Sequence, residues 1–420
     1  MENYLNRHFN PSAMAGSVRV PSSKSAGHRV LICAGLADGG TSSIFGIDRS
    51  DDVDATVSVL RSLGARIDFG DGLSIRGGLH SLDSEPIRLN CGESGSTLRF
   101  LIPVAAACGI SCVFDGTGRL PERPIALYKE LFAPHGVDVQ LTGGKLPLTL
   151  SGKLTSGIYE IPGNITSQYI TGLLFALPMV SGDSEIVLTS PLESAPYVDM
   201  TIDTLHDFGV VVQKTSRGYY IAGGQSYKAT NLTVEGDYSQ AAFFSCGAAI
   251  AGETEIKGLS SFSSQGDYAV LEILNRFGAR CAFEGTTLKV SRGALKGIEI
   301  DGLQIPDLIP VLAVTAAFAQ GETRIYNAGR LRLKESDRIA AVCQMLTAIG
   351  ADARETSDGL IINGKPSLEG GAVQAMNDHR IAMSAAIASL GCKNGVYVDD
   401  MRCINKSYPK FIEDFETVAR

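Results

Sequence analysis

The sequence predicts an α/β protein of two domains, each built from three βαβαββ repeats with pseudo-threefold symmetry. The first observation behind this prediction is length, because 420 residues exceed what one hydrophobic core ordinarily holds. The second is a common period, since two series of glycines recur at a nearly constant interval. The third is the local pattern, since each glycine lies between a helical segment and a run of strand-forming residues. Six such repeats account for the chain.

The first glycine series follows amphipathic helical segments such as VSVLRSLGARIDF and LEILNRFGARCAF. Glycine readily takes the left-handed conformation that ends a helix, and a strand, a turn and a second strand then follow. The interval between successive members is nearly the same along the whole chain. The series consists of Gly64, Gly136, Gly209, Gly278 and Gly350.

The second glycine series follows helices of small apolar residues and precedes β-rich runs such as EIVLTS and TRIYNA. Its members recur at the same interval as those of the first series, so the two series share one period. Together they define a repeat of strand, helix, strand, helix, strand and strand. The series consists of Gly40, Gly109, Gly182, Gly252, Gly321 and Gly391.

Six repeats of this size are expected to divide three and three between two domains. We predict a first domain of residues 22–231 and a second domain of residues 1–21 with 232–420. The chain then crosses between domains near 21 and near 232–236, and these crossovers are the expected hinges. The sixth repeat is short of strands at the C-terminus, so Ser17–Val20 is expected to supply one.

Composition excludes several classes of protein. A net charge of −8 offers no general basic field for nucleic acid. Nine cysteines without a C-x-x-C pair, mostly in apolar runs, indicate buried reduced thiols. The N-terminus MENYLNRHFN has no signal-peptide pattern, and the apolar runs are too short to span a bilayer. We expect a cytoplasmic monomer that binds neither membrane nor nucleic acid.

The segments that open the six small-residue helices carry polar or charged side chains at equivalent positions. Helix capping explains Ser, Thr and Asp there. It does not explain Lys24 or Arg380, because a cation at a helix N-terminus opposes the macrodipole. Helix N-termini are anion sites, so these cations indicate an anionic ligand. The segments are Ser23-Lys24-Ser25, Ser94-Gly95-Ser96, Thr166-Ser167-Gln168, Asp237-Tyr238-Ser239, Pro306-Asp307 and Asp378-His379-Arg380.

Basic residues concentrate around these segments although the chain is acidic overall. Such a local cluster favours small ligands with several negative charges over a polymer, because a few charge-assisted hydrogen bonds suffice to bind them. The cluster consists of Lys24, Arg29, Arg99, Arg123, Lys334, Arg338, Arg380 and Lys406.

Motifs along the whole chain resemble the enolpyruvyl transferase family, in family order. The most specific pair is LKESDR (333–338) followed by NDHR (377–380). The resemblance implies two domains that close over an active site between them. It also implies transfer of the enolpyruvyl group of phosphoenolpyruvate to the 5-hydroxyl of shikimate 3-phosphate with release of phosphate, without metal or cofactor. The other motifs are PSSKSAGHR (21–29), GESGSTLRF (92–100), LPERP (120–124), TSQY (166–169), SAPYVDMT (194–201), IPD (305–307) and NKSYP (405–409).

The resemblance also implies which residues bind each substrate. Gly95 is expected to let the backbone approach phosphoenolpyruvate closely and to leave room for the inhibitor glyphosate. For shikimate 3-phosphate the implied residues are Lys24, Ser25, Arg29, Thr166, Ser167, Gln168, Ser194, Asp307, Arg330 and Lys334. For phosphoenolpyruvate they are Lys24, Gly95, Arg123, Gln168, Arg338, Arg380 and Lys406.

The implied chemistry needs a proton delivered to the methylene carbon and another removed from the attacking hydroxyl. We expect Asp307 to accept the hydroxyl proton and either Glu335 or Lys24 to serve the methylene carbon. Outside the motif context, Asp307 would be interpreted as a helix cap and Glu335 as half of a surface salt bridge. The residues assigned to catalysis are therefore Lys24, Asp307 and Glu335.

Three positions depart from the family pattern, and two other functions compete with the one implied. Glu93 and Arg330 stand where the family usually has Asn, and Thr166 replaces a Ser. Transfer to UDP-N-acetylglucosamine is one alternative, but segment 115–124 lacks the cysteine typical of that enzyme. A repeat-built protein that binds RNA ends is the other, and the acidic charge disfavours it.

Overall fold

The computed structural model describes residues 4–79 and 85–420. It contains two compact units, a first unit of Lys24–Val234 and a second unit of Met1–Ser23 with Glu235–Arg420. The boundaries differ by two or three residues from those expected at 21/22 and 231/232. Ser23 stays with the second unit because its backbone N–H bonds the Glu235 carbonyl at 2.7 Å. Residues 232–234 stay with the first unit because Leu232–Thr233 pairs with its strand Ser42–Phe45.

The helices and strands follow the predicted alternation. The chain begins with β1 (Leu5–Phe9) and β2 (Ser17–Arg19). The first unit then contains α1 (Lys24–Leu36), β3 (Ser42–Phe45), α2 (Asp51–Ser62), β4 (Arg66–Phe69), β5 (Leu73–Arg76), β6 (Ile87–Asn90), α3 (Gly95–Cys108), β7 (Cys112–Asp115), α4 (Leu127–Phe132), β8 (Val137–Thr142), β9 (Lys145–Gly152), β10 (Ile158–Ile161), α5 (Ser167–Ala176), β11 (Ser184–Leu188), α6 (Ala195–Asp207), β12 (Gln213–Thr215), β13 (Gly218–Ile221) and β14 (Leu232–Thr233).

The rest of the second unit repeats the same order of elements. It contains α7 (Tyr238–Ala251), β15 (Glu253–Lys257), α8 (Val270–Phe277), β16 (Arg280–Glu284), β17 (Thr287–Ser291), β18 (Glu299–Asp301), α9 (Ile309–Ala317), β19 (Gly321–Tyr326), α10 (Arg338–Ala348), β20 (Asp352–Glu355), β21 (Leu360–Gly364), β22 (Gly371–Val373), α11 (His379–Ser389), β23 (Val396–Asp400) and α12 (Phe411–Val418).

Five of the six sheets formed by residues 4–79 and 85–420 have four strands and one topology. In the sheet β6-β7-β9-β8, for example, β6 runs parallel to β7, and β9 pairs antiparallel with both β7 and β8. The sixth sheet has three strands, in the order β1-β23-β22. This regularity confirms the predicted fold class, three βαβαββ repeats in each unit.

The N-terminal strands complete the second unit, as expected of residues 1–21, but the strand that joins the sixth repeat is not the one expected. Ser17–Val20 was expected to complete the sixth repeat, and that assignment is wrong. Strand β2 instead pairs parallel with β15 and so completes the fourth repeat. The sixth sheet is completed by β1, which pairs antiparallel with β23. The first repeat is completed in the same way from a distance, because β14 pairs with β3.

The helices that begin at the polar segments form the centre of each unit. In α3 all but two residues are buried, as expected for a helix that is apolar on every side. Its packing against α5 is close because α5 carries Gly172. A Cβ at Gly172 would lie 2.4 Å from the Arg99 carbonyl oxygen and 2.9 Å from Cγ of Pro103. This close approach fixes the relative position of two helix starts.

The two glycine series differ in conformation. All five glycines of the first series have left-handed φ values, between 79° and 109°. In the second series only Gly109, Gly182 and Gly321 are left-handed. Gly252 is extended, with φ 162°. The helix-ending role is therefore confirmed for the first series, whereas in the second series only Gly109 is a left-handed helix C-cap, that of α3.

Candidate functional site

Lys24 opens α1 in the first unit, and its ammonium group is placed by α2. Its Nζ lies 2.7 Å from Oδ2 of Asp52, the second residue of α2. The Lys24 side chain is 19% exposed, so the ammonium group remains accessible. An acidic residue in the first turn of a helix is electrostatically favourable, which explains why Asp52 lies there. The Lys24–Asp52 ion pair therefore holds the ammonium group near the N-terminus of α1.

Gln168 joins the starts of α3 and α5. Its Nε2 donates to Oγ of Ser96 at 3.1 Å, and its Oε1 accepts from Nη1 of Arg99 at 3.0 Å. Thr166 caps α5 by accepting from the Gln168 N–H at 3.3 Å. The hydroxyl group that replaces the usual Ser at position 166 therefore keeps the capping function. These bonds fix the Gln168 amide, which the sequence assigned to both substrates.

Buried hydroxyl groups connect α3 to α2. Oγ1 of Thr97 lies 2.7 Å from Oγ of Ser94 and 2.6 Å from Oγ1 of Thr56. Thr56 in turn lies 2.7 Å from Nδ1 of His28. Burial lowers the pKa of His28 to about 3, so this imidazole stays neutral at physiological pH. The network is a rigid support beneath the helix starts.

Arg29 is buried within the first unit. Its Nε donates to Thr201 Oγ1 at 2.9 Å, and its Nη1 and Nη2 donate to backbone carbonyls at 2.7 Å. Only 2% of its surface is exposed, and burial lowers its pKa to about 10. Arg29 thus anchors α1 to α6 through Thr201.

The remaining first-unit candidates lie at or near the same helix starts. Ser167 is the first residue of α5 and is buried, and Ser25 is half-buried in α1. Ser194 precedes α6 with a left-handed φ of 56°, a conformation that a non-glycine residue rarely adopts. The Arg123 guanidinium lies beside Gly95, since a Cβ there would be 2.8 Å from its Nη1. Glu93, which departs from the family pattern, lies against Gly118. A Cβ added at Gly118 would collide with the Glu93 carboxylate.

Asp307 is the centre of the second-unit cluster. Its Oδ1 lies 2.9 Å from Nη1 of Arg338 and 3.5 Å from Nζ of Lys334. Its Oδ2 lies 3.2 Å from Nη2 of Arg380. Asp307 does not cap α9, whose N-cap residue is Leu308. The capping interpretation is therefore excluded, and the carboxylate serves to contact cations.

Arg338 bridges the candidate carboxylates and is 1% exposed. Its Nε donates to Oδ2 of Asp378 at 2.8 Å, and its Nη2 donates to Oε2 of Glu335 at 2.7 Å. Asp378 is fully buried and also accepts from Ser336 Oγ and the Arg380 N–H. Glu335 is therefore part of a buried network and not of a surface salt bridge.

Two further cations complete the cluster. Lys406 is buried, and its Nζ lies 3.7 Å from Oε1 of Glu335. Arg330 is half-buried, and its charge acts on Lys334. Burial lowers the pKa of Lys334, and the nearby charges of Arg338 and Arg330 lower it further. The carboxylates of Asp307 and Glu335 act in the opposite direction and raise it, which leaves the pKa at about 8. Lys334 is therefore poised to lose its charge slightly above neutral pH.

The pKa values of the carboxyl groups diverge within the second unit. Burial raises the pKa of Asp307, but Arg380, Lys334 and Arg338 together outweigh burial and hold it well below its usual range. Asp267 is 3% exposed and accepts a hydrogen bond from Ser239. Burial, and then the charge of Asp307, raise the pKa of Asp267 to about 7. Asp267 and Asp307, which both lie near Arg380, thus differ in how readily they are protonated.

Three supporting acids of these clusters were not singled out from the sequence. Asp52 lies in an acidic run that is typical of an ordinary helix start. Asp378 belongs to the NDHR motif and stands at the start of a small-residue helix, where helix capping is a sufficient explanation for an acid. Asp267 follows Gln265-Gly266 and carried no signal. Only its buried contact with Ser239 reveals it.

Within the described residues, no group of three or more His, Cys, Asp or Glu side chains is arranged to hold a metal ion. No helix among them is long and apolar enough to cross a membrane.

Comparison with known proteins identifies the family. The model of the EPSP synthase family, 3-phosphoshikimate 1-carboxyvinyltransferase, matches residues 9–415. The 3-phosphoshikimate 1-carboxyvinyltransferase of Clostridium kluyveri is 45% identical over 413 residues, covering 98% of this chain and 96% of that protein. Its namesake from Clostridium perfringens strain 13 is 46% identical over 412 residues, covering 97% of each.

Solved structures agree with the sequence relatives. The EPSP synthase of Acinetobacter baumannii superposes with a TM-score of 0.83 at 28% identity, over 98% of this chain and 97% of that one. The enolpyruvyl transferase NikO of Streptomyces tendae superposes with a TM-score of 0.77 at 17% identity, over 98% and 96%, which is a likeness of fold. The motifs, the six-repeat fold and these relatives together show that the chain belongs to the EPSP synthase family.

Proposed function

We propose that this protein transfers the enolpyruvyl group of phosphoenolpyruvate to the 5-hydroxyl of shikimate 3-phosphate and releases phosphate. The observation that carries the proposal is the cluster in which the Asp307 carboxylate contacts Lys334, Arg338 and Arg380. It combines proton-accepting groups with cations suited to phosphate and carboxylate. Membership of the EPSP synthase family supports the same reaction.

The proposed binding of phosphoenolpyruvate uses the cations that the motifs assign to this substrate. Arg123 beside Gly95, with Lys24 and Gln168, contributes from the first unit. Arg338, Arg380 and Lys406 contribute from the second. Planar guanidinium groups bind phosphate and carboxylate bidentately, and the low exposure of Arg338 and Arg380 strengthens such bonds by excluding water.

The proposed binding of shikimate 3-phosphate uses hydroxyl groups and further cations. The phosphate-binding set is Thr166, Ser167 and Ser194, at the starts of α5 and α6, where the positive end of the helix dipole favours an anion. Asp307 is assigned to the reacting hydroxyl. The remaining contacts are assigned to Lys24, Ser25, Arg29, Gln168, Arg330 and Lys334. Arg29 also donates to three protein oxygens, so it is proposed to hold α1 in place while it contacts shikimate 3-phosphate.

The proposed reaction is an addition followed by an elimination. Asp307 accepts the hydroxyl proton as the oxygen attacks C2 of phosphoenolpyruvate, while Glu335 or Lys24 protonates the methylene carbon. The resulting tetrahedral intermediate returns a methyl proton to the group that protonated the carbon, Glu335 or Lys24, as phosphate leaves, which restores the double bond. The cations around Asp307 and Glu335 stabilise charge on the transferred groups, an electrostatic contribution that is often the largest in catalysis.

The sibling reaction with UDP-N-acetylglucosamine is not favoured. Segment 115–124 contains no cysteine, and the nearest thiols are Cys108 and Cys112. Burial raises their pKa values to about 11 and about 12, so neither forms a reactive thiolate at neutral pH. A test measures phosphate release from phosphoenolpyruvate with each acceptor. We expect release with shikimate 3-phosphate alone, and equal or faster release with UDP-N-acetylglucosamine would refute the proposal.

We further propose that the protein works in the cytoplasm, which agrees with nine cysteines that are all free. The monomeric state, independence from metal or cofactor and inhibition by glyphosate stay predictions. We also propose that the chain crossings at 23/24 and 234/235 act as hinges.

Replacing Gly95 with alanine is expected to raise KM for phosphoenolpyruvate about 10- to 100-fold, since one charge-assisted bond is lost or weakened. The new Cβ would stand 2.8 Å from Nη1 of Arg123 and 2.9 Å from Nη1 of Arg99, so both guanidinium groups must shift. Steady-state kinetics measures the change. Gly70→Ala is the control, because its Cβ meets only the Gly72 carbonyl oxygen, at 3.8 Å. An unchanged KM in Gly95→Ala would contradict the assignment of Arg123.

The lowered pKa of Lys334 predicts a pH dependence of substrate binding. As pH rises through about 8 the ammonium loses its proton, so affinity for shikimate 3-phosphate should fall by up to about tenfold per pH unit. Lys334→Arg should remove this dependence because arginine stays charged. KM for shikimate 3-phosphate between pH 7 and 9.5 provides the measurement. Identical pH profiles for both proteins would show that Lys334 is not the titrating group.

A further inference from the structure

Both oxygens of the Asp307 carboxylate are engaged by cations, although the side chain is accessible. Arg338 and Lys334 lie at 2.9 and 3.5 Å from Oδ1, and Arg380 lies at 3.2 Å from Oδ2. Arg380 also donates from Nη1 to the Asp307 carbonyl oxygen at 2.8 Å. The Asp307 side chain is 20% exposed, so an incoming ligand can reach it. The carboxylate and a ligand anion would compete for the same guanidinium groups.

A carboxylate held in this way is a poor base. The cations hold the pKa of Asp307 well below its usual range in spite of burial. A general base works best when its pKa lies near the pH of the reaction. The arrangement therefore conflicts with proton abstraction by Asp307, unless a substrate changes the surroundings of the carboxylate.

The network shows which partner can move. Arg338 is fixed because its Nε and Nη2 are bonded to Asp378, which is fully buried. Asp307 is a short side chain that is partly exposed, so its carboxylate can turn while Arg338 stays in place. When a phosphate or carboxylate takes up Nη1 of Arg338, the aspartate is the group that gives way. Its neighbour Lys334 remains to hold it at the edge of the cluster.

We infer that binding of phosphoenolpyruvate to Arg338 and Arg380 releases the Asp307 carboxylate from these guanidinium groups and so converts it into the base for the acceptor hydroxyl. The inference rests on the proposed function. The released carboxylate takes the hydroxyl proton while the oxygen forms its bond to C2, and the methylene carbon receives a proton from Glu335 or Lys24. The base is thus created only when the group to be transferred is already present.

The test follows the carboxyl carbon of Asp307 by NMR in protein labelled with [4-¹³C]aspartate. The signal is assigned by its loss in Asp307→Asn, and its displacement in Lys334→Gln gives a second assignment. A pH titration is run with and without phosphoenolpyruvate, in the absence of acceptor so that no turnover occurs. We expect saturating phosphoenolpyruvate to raise the titration midpoint by roughly one to three pH units.

Two variants distinguish release of the Asp307 carboxylate by the arginines from a simple electrostatic effect of the negatively charged ligand. Arg380→Gln should raise the midpoint in the free protein, and phosphoenolpyruvate should then add less. Lys406→Gln removes a cation that lies on Glu335 and not on Asp307, so at saturation the full displacement should persist. An equal displacement in Arg380→Gln and in the unmodified protein would overturn the inference.

The outcomes distinguish this inference from the proposed function. A midpoint that does not rise at saturating phosphoenolpyruvate, in a protein that still releases phosphate with shikimate 3-phosphate, overturns the inference and leaves the function standing. Absence of both phosphoenolpyruvate binding by calorimetry and phosphate release overturns the proposed function, and the inference with it.

Discussion

Replacement of Asp307 by asparagine should lower kcat by about 10²- to 10⁴-fold, the range that a positioned general base contributes. The amide keeps the volume of the side chain, and its oxygen can still accept from Arg338, so folding should be preserved. What is lost is the ability to take the hydroxyl proton. Stopped-flow or steady-state measurement of phosphate release, at saturating substrates, gives kcat directly.

The matched control is Asp301→Asn. Asp301 ends β18, shortly before Asp307, and within the described part of the chain its exposed carboxylate bonds the Leu303 N–H and Asn327 Nδ2. We expect kcat within a factor of a few of the unmodified protein. If Asp307→Asn retained normal turnover with a normal thermal transition, Asp307 would not be the base.

Replacement of Arg338 by methionine should lower the free energy of unfolding by about 3–5 kcal/mol, the range seen when one member of a buried ion network is removed. Methionine fills much of the space but leaves Asp307, Glu335 and Asp378 facing one another without their shared cation. Urea unfolding at pH 7.5 measures the loss.

Arg332→Met is the control for Arg338→Met. Arg332 is 32% exposed and pairs with Asp337 and Glu355, which are also partly exposed. Exposed ion pairs contribute about 1 kcal/mol or less. A similar loss of stability in both variants would mean that the buried network around Arg338 has no special role. Catalysis should fail in Arg338→Met even where the protein is folded, because Arg338 is also assigned to phosphoenolpyruvate.

The repeat architecture was predictable because each helix and its end are determined by residues close together in the sequence. Helices end at glycines such as Gly64 and Gly278, whose positive φ values are set by the chain itself. The pairing of the first strand is not local in the first and fourth repeats, where β14 pairs with β3 and β2 pairs with β15. Nothing in Ser17–Val20 distinguishes a partner at β15 from one at β23, and the choice is made by packing between segments that lie far apart in the sequence.

The site was predictable where a residue type conflicts with its position. Lys24 and Arg380 stand at helix starts, where a cation is unfavourable, whereas Asp307 was assigned through its motif and its place outside the cap of α9 appears only in the structure. The supporting acids were not predictable in this way. Asp52 and Asp378 occupy positions where acids are ordinary, so their contacts with Lys24 and Arg338 appear only in three dimensions. The substrate contact implied for Arg29 by its motif stays a prediction, and the hydrogen bond to Thr201 that holds α1 appears only in the structure.

Identification of the product tests the central claim most directly. The protein is incubated with phosphoenolpyruvate and equal amounts of shikimate 3-phosphate and UDP-N-acetylglucosamine, and both acceptors are examined by mass spectrometry. We predict that shikimate 3-phosphate alone gains the mass of one enolpyruvyl group, with one phosphate released for each product formed. Modification of UDP-N-acetylglucosamine, or phosphate release without a modified acceptor, would contradict the proposed function.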